Sequence, residues 1–272
     1  MSRARDGILL AVGTLTRIPV PAPHRVDRQV AGIAMSIAPL IGLLLAIVIG
    51  VPVWVLAWAL DAPAHPVSSL LIAILAVSGI AWLNRGLHLD GLADLADALG
   101  SNKPPEQALA IARQPDIGPF GTMTITLTLL VQVAALGVAI DAGRGAMALA
   151  TALIASRLAL PWACTPRWPP ARTEGLGAMV AQSTREPVAL VITAALVAMA
   201  ATAGWLLTGN MLGALVLPVG MTSGLLAAGA TLRLARRRLG GITGDVLGAC
   251  VEVAFVTALG AVAILLSVSL AR

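Results

Sequence analysis

The chain has no tyrosine, two phenylalanines and two cysteines among 272 residues, and 11% of its residues are charged. So little charge beside 58% hydrophobic residues and a mean hydropathy of +0.91 excludes an ordinary soluble domain. An outer-membrane barrel is excluded too, since it would show alternating segments of about ten residues and aromatic girdles. The two cysteines, Cys164 and Cys250, lie far apart in or near apolar runs without metal-ligand spacing, and read as small buried hydrophobes. No internal repeat is visible, which weakens the case for an inverted-repeat transporter. The first apolar run, 8–14, is short, is followed by Arg17 and Pro19, and lacks a small-residue cleavage site. A short interfacial or re-entrant helix is expected there, not a signal peptide.

What is present is a series of long apolar runs. Seven are long enough to span a bilayer: 31–60, 67–83, 122–140, 146–164, 188–207, 211–232 and 246–270. The fold class expected is all-α, a polytopic membrane helical bundle of about seven transmembrane helices in one domain, 1–272. The first run is over-long and contains Pro39, Gly50 and Pro52, so a kink or tilted entry is expected. The second is short and is expected to continue as helix into the segment that follows.

Orientation follows from the basic residues. Segments 1–30, 84–121, 165–187 and 233–245 carry fifteen Lys and Arg, whereas the opposite loops and tail carry only Arg144 and Arg272. The positive-inside rule therefore places the amino terminus in the cytoplasm and the carboxyl terminus outside. The same asymmetry explains the net charge of +5 and the pI of 10.9 without a nucleic-acid partner. Ten of the thirteen acids also lie on the cytoplasmic side. Chemistry is expected there, in segments 84–121 and 233–252.

The most informative cluster is Asn84-Arg-Gly-Leu-His-Leu-Asp-Gly-Leu-Ala-Asp-Leu-Ala-Asp97. On a helix, Asp90, Asp94 and Asp97 fall within roughly 60° of one another. Three carboxylates on one stripe repel unless a cation sits among them, and oxygen-only ligands suit Mg²⁺ or Mn²⁺, ions of phosphate chemistry. A solvated helix face is the plain alternative, but Leu and Ala fill the positions between the acids. The segment Ser101-Asn-Lys-Pro-Pro-Glu106 reads as a turn, with Ser101 or Asn102 capping a helix over 104–112.

Further candidates lie downstream. In Arg113-Gln-Pro-Asp-Ile-Gly-Pro-Phe-Gly121, Asp116 precedes glycines that could present backbone N–H groups to an anion at a helix start. In Arg236-Arg-Arg-Leu-Gly-Gly-Ile-Thr-Gly-Asp245, the arginines are topology anchors or phosphate ligands. Gly240, Gly241 and Gly244 in that motif allow close approach of phosphate, and Thr243 is placed to cap. Asp245 and Glu252 share a helix face, and an intramembrane glutamate is a functional candidate by default. Arg157, inside a span, either snorkels to the interface or neutralises phosphate.

His88-Leu-Asp-Gly-Leu-Ala-Asp-x-x-Asp97, the segment 237–249, and Glu252 together resemble the cobalamin synthase family, formally adenosylcobinamide-GDP ribazoletransferase. Leu15-Thr-Arg-Ile-Pro-Val-Pro21, Pro39-Leu-Ile-Gly42, Ser156-Arg157 and Glu174-Gly-Leu-Gly177 fall in the matching order. The resemblance spans nearly the whole chain. It implies multi-pass enzymes of the bacterial cytoplasmic membrane, acting late in cobalamin biosynthesis. They join adenosylcobinamide-GDP to α-ribazole or its 5′-phosphate, release GMP and require Mg²⁺. One departure is Gln114-Pro-Asp-Ile-Gly118, where the family often has Asp-Ser-Arg-x-Gly; Asp116 is the acid available there.

Together these readings assign metal binding to Asp90, Asp94, Asp97, Asp116 and Glu252. General-base catalysis falls to Asp97 or Asp245. Phosphate and substrate contacts fall to His88, Arg157, Arg172, Arg236, Arg237, Arg238, Gly241, Thr243 and Gly244. The partners are the two small-molecule substrates and the bilayer, and a homo-oligomer is allowed. Two rival readings stand beside this one. A CDP-alcohol phosphotransferase also uses membrane aspartates, but its Asp-Gly-x-x-Ala-Arg signature is only begun by Asp90-Gly91. A divalent-cation or proton-coupled transporter would run ions past the aspartates, although these sit at a span end instead of mid-bilayer.

Overall fold

The computed structural model describes residues 2–270; Arg272, one of the two basic residues assigned to the outer side, lies outside them. The chain forms α1 (Arg3–Leu15), α2 (Arg28–Ser36), α3 (Ala38–Ala59), α4 (Pro66–Leu83), α5 (Leu87–Gly100), α6 (Pro105–Ile111) and α7 (Pro119–Asp141). It continues through α8 (Gly145–Ala163), α9 (Leu176–Val180), α10 (Glu186–Thr208), α11 (Met211–Leu239) and α12 (Gly244–Leu270). No strand occurs among the described residues, and pairing across the chain is limited to one isolated bridge, Pro170 to Ile242.

Seven helices, α3, α4, α7, α8, α10, α11 and α12, are long and apolar enough to cross a membrane. The protein is a multi-pass membrane protein. Its outer surface supports this: Trp58 is 78% exposed and Leu206 75% exposed, a cost in water that lipid removes. The centre and periphery differ sharply. In α8, 72% of the most apolar window is buried, against 6% in α10. Helix α12 packs on α5, α7, α8 and α11, so it links the centre of the bundle to the aspartate-bearing α5. Small residues permit these approaches: a side-chain carbon at Gly224 of α11 would lie 2.7 Å from the Ala254 carbonyl of α12.

Helix boundaries follow local chemistry. Asp27 caps α2 by accepting from the Val30 N–H at 2.8 Å, and Asn210 caps α11 through the Gly213 N–H at 2.8 Å. Proline stands in the first turn of α3, α4, α6, α7 and α10, where its missing N–H is not needed. The over-long first run, 31–60, is broken in two. Ile37 ends α2 and α3 begins at once with Pro39 in its first turn, so only α3 is a span. Pro52 is accommodated inside α3.

Two further expectations are corrected. The second span does not continue straight into the aspartate segment, because Arg85 (φ 58°) and Gly86 (φ 68°) take left-handed backbone and turn the chain. Neither Ser101 nor Asn102 caps α6. The Ser101 hydroxyl bonds the Ala98 carbonyl, and Pro104 occupies the capping position. The short helix expected at 8–14 is α1, which begins five residues earlier and ends one later.

Candidate active site

The turn at Arg85 and Gly86 sets the site. Arg85 donates from Nη2 to the Gly13 and Thr14 carbonyls at 2.9 and 3.2 Å, satisfying orphan acceptors at the end of α1. The Arg17 N–H bonds the Leu83 carbonyl at 2.6 Å, and the Arg17 guanidinium stacks 4.7 Å above the Trp82 ring. Helix α1 is thereby fastened beside the start of α5. Helices α5 and α12 then cross at glycine. A side-chain carbon at Gly91 would lie 2.8 Å from the Asp245 carbonyl, and one at Gly248 would lie 3.3 Å from the backbone of both Gly91 and His88.

This crossing carries Asp90 of α5 and Asp245 of α12 to the rim of one cavity of about 260 Å³. Its far wall is the segment 172–178, held against 241–243 by backbone bonds from Ile242 N–H to Pro169 O and from Ala171 N–H to Ile242 O, each 2.9 Å. The Thr243 hydroxyl accepts the Val246 N–H at 3.2 Å and donates to Asp245 Oδ2 at 3.1 Å, so it caps α12 while holding the aspartate. Arg172 is anchored by a 2.6 Å bond from Nη2 to the Leu109 carbonyl. Its Nη1 stands 3.9 Å from Asp245 Oδ2, a loose ion pair that leaves the cation available.

The site is electrostatically frustrated. Burial raises the Asp94 carboxyl to about 6, and the charges of Asp90, Asp245 and Asp97 push in the same direction. His88 is 3% exposed, and burial followed by the nearby Arg157 charge holds its imidazole well below the usual range, so it is neutral at physiological pH.

The structure separates the expected site residues into groups. Asp90, Asp245, Arg172, His88, Thr243 and Gly244 line the cavity, and Asp94 lies in the same field. Asp97 does not join them as a free ligand or base. Its oxygens accept the Gly118 and Gly121 N–H groups at 2.8 and 2.9 Å, making it the anion at the start of α7. The glycines expected to receive an external anion are thus occupied by the third aspartate of the stripe. Asp116 is exposed in the preceding loop and does not line the cavity.

Gly241 is bare for its neighbours' sake: a side-chain carbon would lie 2.8 Å from the Ala171 nitrogen. Arg236, Arg237 and Arg238 end α11, and Arg236 bonds the Arg167 carbonyl at 3.2 Å; none of the three lines the cavity. Arg157 and Glu252 are buried together behind His88, in a separate void. Two contributors were given no role from the sequence, although Glu174 stood in the Glu174-Gly-Leu-Gly177 motif. Glu174 stands at the cavity rim beside the Gly-Leu-Gly run, and Gln132 donates to Glu252 at 2.8 Å. A lone amide inside an apolar span was the available signal for Gln132.

A hard divalent cation fits this rim in kind. Asp90 and Asp245 are oxygen donors at the rim with Asp94 in the same field, and a cation would offset both the burial and the like charges that raise Asp94. The rim is not a ready-made cage, since no three His, Cys, Asp or Glu groups among the described residues are placed around one ion position. Mg²⁺ does not require one, being held commonly by one or two carboxylates together with substrate phosphates.

Comparison with known proteins identifies the family. The family described as Cobalamin-5-phosphate synthase matches residues 7–263. The adenosylcobinamide-GDP ribazoletransferase of Frankia casuarinae is 40% identical over 246 residues, covering 88% of this chain and 87% of that protein. That of Nocardioides sp. is 38% identical over 256 residues, covering 94% and 97%. That of Pseudomonas aeruginosa is 35% identical over 261 residues, covering 93% and 95%. No solved structure matches the chain. With the family matched over most of its length, the chain belongs to the cobalamin-5-phosphate synthase family and is a membrane transferase of cobalamin biosynthesis.

Proposed function

We propose that the chain joins adenosylcobinamide-GDP to α-ribazole, or to α-ribazole 5′-phosphate, with release of GMP, at the cytoplasmic face of the bacterial cytoplasmic membrane. The observation that carries this reading is the cavity rim of Asp90 and Asp245 with Arg172, with Asp94 in the same field, at the end of the bundle where the arginine-rich segments lie. The printed names of the relatives supply the substrates. The site side follows from the positive-inside asymmetry.

Joining these substrates requires a ribose hydroxyl to attack one phosphorus of a pyrophosphate diester. A new O–P bond forms, the bond to the GMP oxygen breaks, and the hydroxyl proton must be taken up. Asp245 is the general base in this scheme, since Thr243 orients it and Asp97 has both oxygens engaged. Arg172, fixed at Leu109, binds a phosphate oxygen. The apolar wall formed by residues such as Leu15, Met35 and Leu160 excludes water and receives the organic part of a substrate. Held by Asp90 and Asp94, Mg²⁺ would shield pyrophosphate charge and stabilise the leaving oxygen.

Membranes containing the chain, supplied with adenosylcobinamide-GDP, α-ribazole and Mg²⁺, are expected to release GMP. Turnover of CDP-diacylglycerol in its place, or ion uptake into proteoliposomes without GMP release, would overturn the reading.

A further inference from the structure

Behind the cavity, five elements bring polar side chains together in the apolar interior. Arg157 of α8, Glu252 of α12, Gln132 of α7, His88 of α5 and Asn84 at the end of α4 are each at most 6% exposed and surround a void of about 10 Å³. Part of this group is satisfied internally. Gln132 Nε2 donates to Glu252 Oε2 at 2.8 Å, and Arg157 Nη1 donates to Ser156 Oγ at 2.8 Å. The rest is not. Arg157 Nε and Nη2, both ring nitrogens of His88, and Asn84 Oδ1 have no hydrogen-bond partner among the described residues. Buried groups of this kind are seldom left dry, least of all a guanidinium.

The void selects its occupant. Its volume is that of a single water, and it offers both donors and acceptors, as a water needs. Glu252 disfavours a small anion and Arg157 disfavours a cation. His88 lines this void and the candidate active site alike, and its backbone lies against Gly248 of α12. We propose that one ordered water bridges Arg157 to His88 and Asn84, and that through it Arg157, which shares the void with Glu252, acts as a positioning residue. It fixes the His88 ring, and so the first turn of α5, from which Asp90 reaches the cavity. The water site stands on the orphaned groups alone; its consequence for turnover rests on the ribazoletransferase reading.

The test uses the full chain in lipid nanodiscs. A density map that resolves ordered water is expected to show one peak within hydrogen-bonding reach of Arg157 and His88. With ¹⁵N-histidine, the chain carries only His24, His65 and His88, and the His88→Gln variant assigns the third signal. At one neutral pH, wild-type His88 is expected to show a single ring tautomer whose N–H exchanges slowly. Arg157→Met or Glu252→Gln is expected to mix the tautomers and to lower kcat about tenfold with little change in KM. A chain with no density in the void, or with Arg157 and His88 in direct contact, overturns the proposal. So does an unchanged His88 spectrum in a folded Arg157→Met variant. Should those variants fail to insert, the wild-type map decides alone. Absence of GMP release by the wild type would sink the transferase reading while leaving the water site to the map and spectrum.

Discussion

Two aspartates one turn apart on α5 have been given opposite work. Burial and like charges raise Asp94 to about 6, whereas Asp97 has both oxygens engaged by backbone N–H groups. Asp94→Asn should therefore lower GMP release about a hundredfold while leaving the fold intact, because it removes charge that matters to the reacting phosphates. Asp97→Asn should do the reverse first. It weakens the bonds that start α7, with an expected loss of about 1–3 kcal/mol in stability, read as a lower Tm in detergent. Equal stability of the two variants would mean that α7 does not depend on Asp97.

The pH dependence follows from the same group. Asp94 has a folded value of about 6 against an ordinary 3.8, so the folded chain binds this proton more tightly than the unfolded chain. Its contribution to stability is complete below the unfolded value and is lost as pH rises through about 6. Cation-free protein should thus be relatively more stable on the acid side of that range, and added Mg²⁺ should recover stability mainly above it. Activity should run the other way, falling as pH drops through about 6 and the carboxylate is protonated. Thermal unfolding and rate profiles across this range check both signs. A Mg²⁺ effect equal at both ends would contradict the rim as the cation site.

At the scale of elements, the decisive contact is the glycine crossing of α5 and α12. Gly91→Ala places a methyl group 2.8 Å from the Asp245 carbonyl, so α12 must shift and Asp245 moves relative to Asp90. The expected result is about a hundredfold loss of turnover by a small misplacement, in a protein that still inserts. A wild-type rate in this variant would show that the crossing has slack. The sequence made the long apolar spans legible, since length and hydropathy decide them without tertiary information. Spacing also put Asp90 and Asp94 on one helix face, whereas Asp245, on another helix, was assigned to the same chemistry only through its motif. The sequence could not distinguish Asp97, because a stripe on one helix says nothing of which neighbour's N–H groups arrive at one end of it. Nor could it tell Gly241 in a backbone pairing from a glycine cradling phosphate, or reveal that Arg157 and Glu252 meet Gln132 in the interior. Those facts are made by contacts between residues 21 to 120 positions apart, from Gly118 with Asp97 to Gln132 with Glu252.

For the whole molecule, the question is which membrane face carries the cavity. Seven spans put α1 and the end of α12 on opposite sides, and the cavity lies at the end holding α1, the α5–α6 connection and the 165–185 loop. The opposite end holds the turns at 60–65, 142–144 and 208–210, where Arg144 is the lone Lys or Arg. Because Lys and Arg resist translocation, the arginine-rich end should face the cytoplasm. The two native cysteines are buried, which gives labelling a low background. In intact cells, an impermeant thiol reagent should modify an Arg144→Cys variant and leave an Asn102→Cys variant untouched until the membrane is opened. The reverse pattern would put the carboxylate rim outside, contrary to the proposed cytoplasmic reaction, and the transferase assignment of the cavity would fail with it.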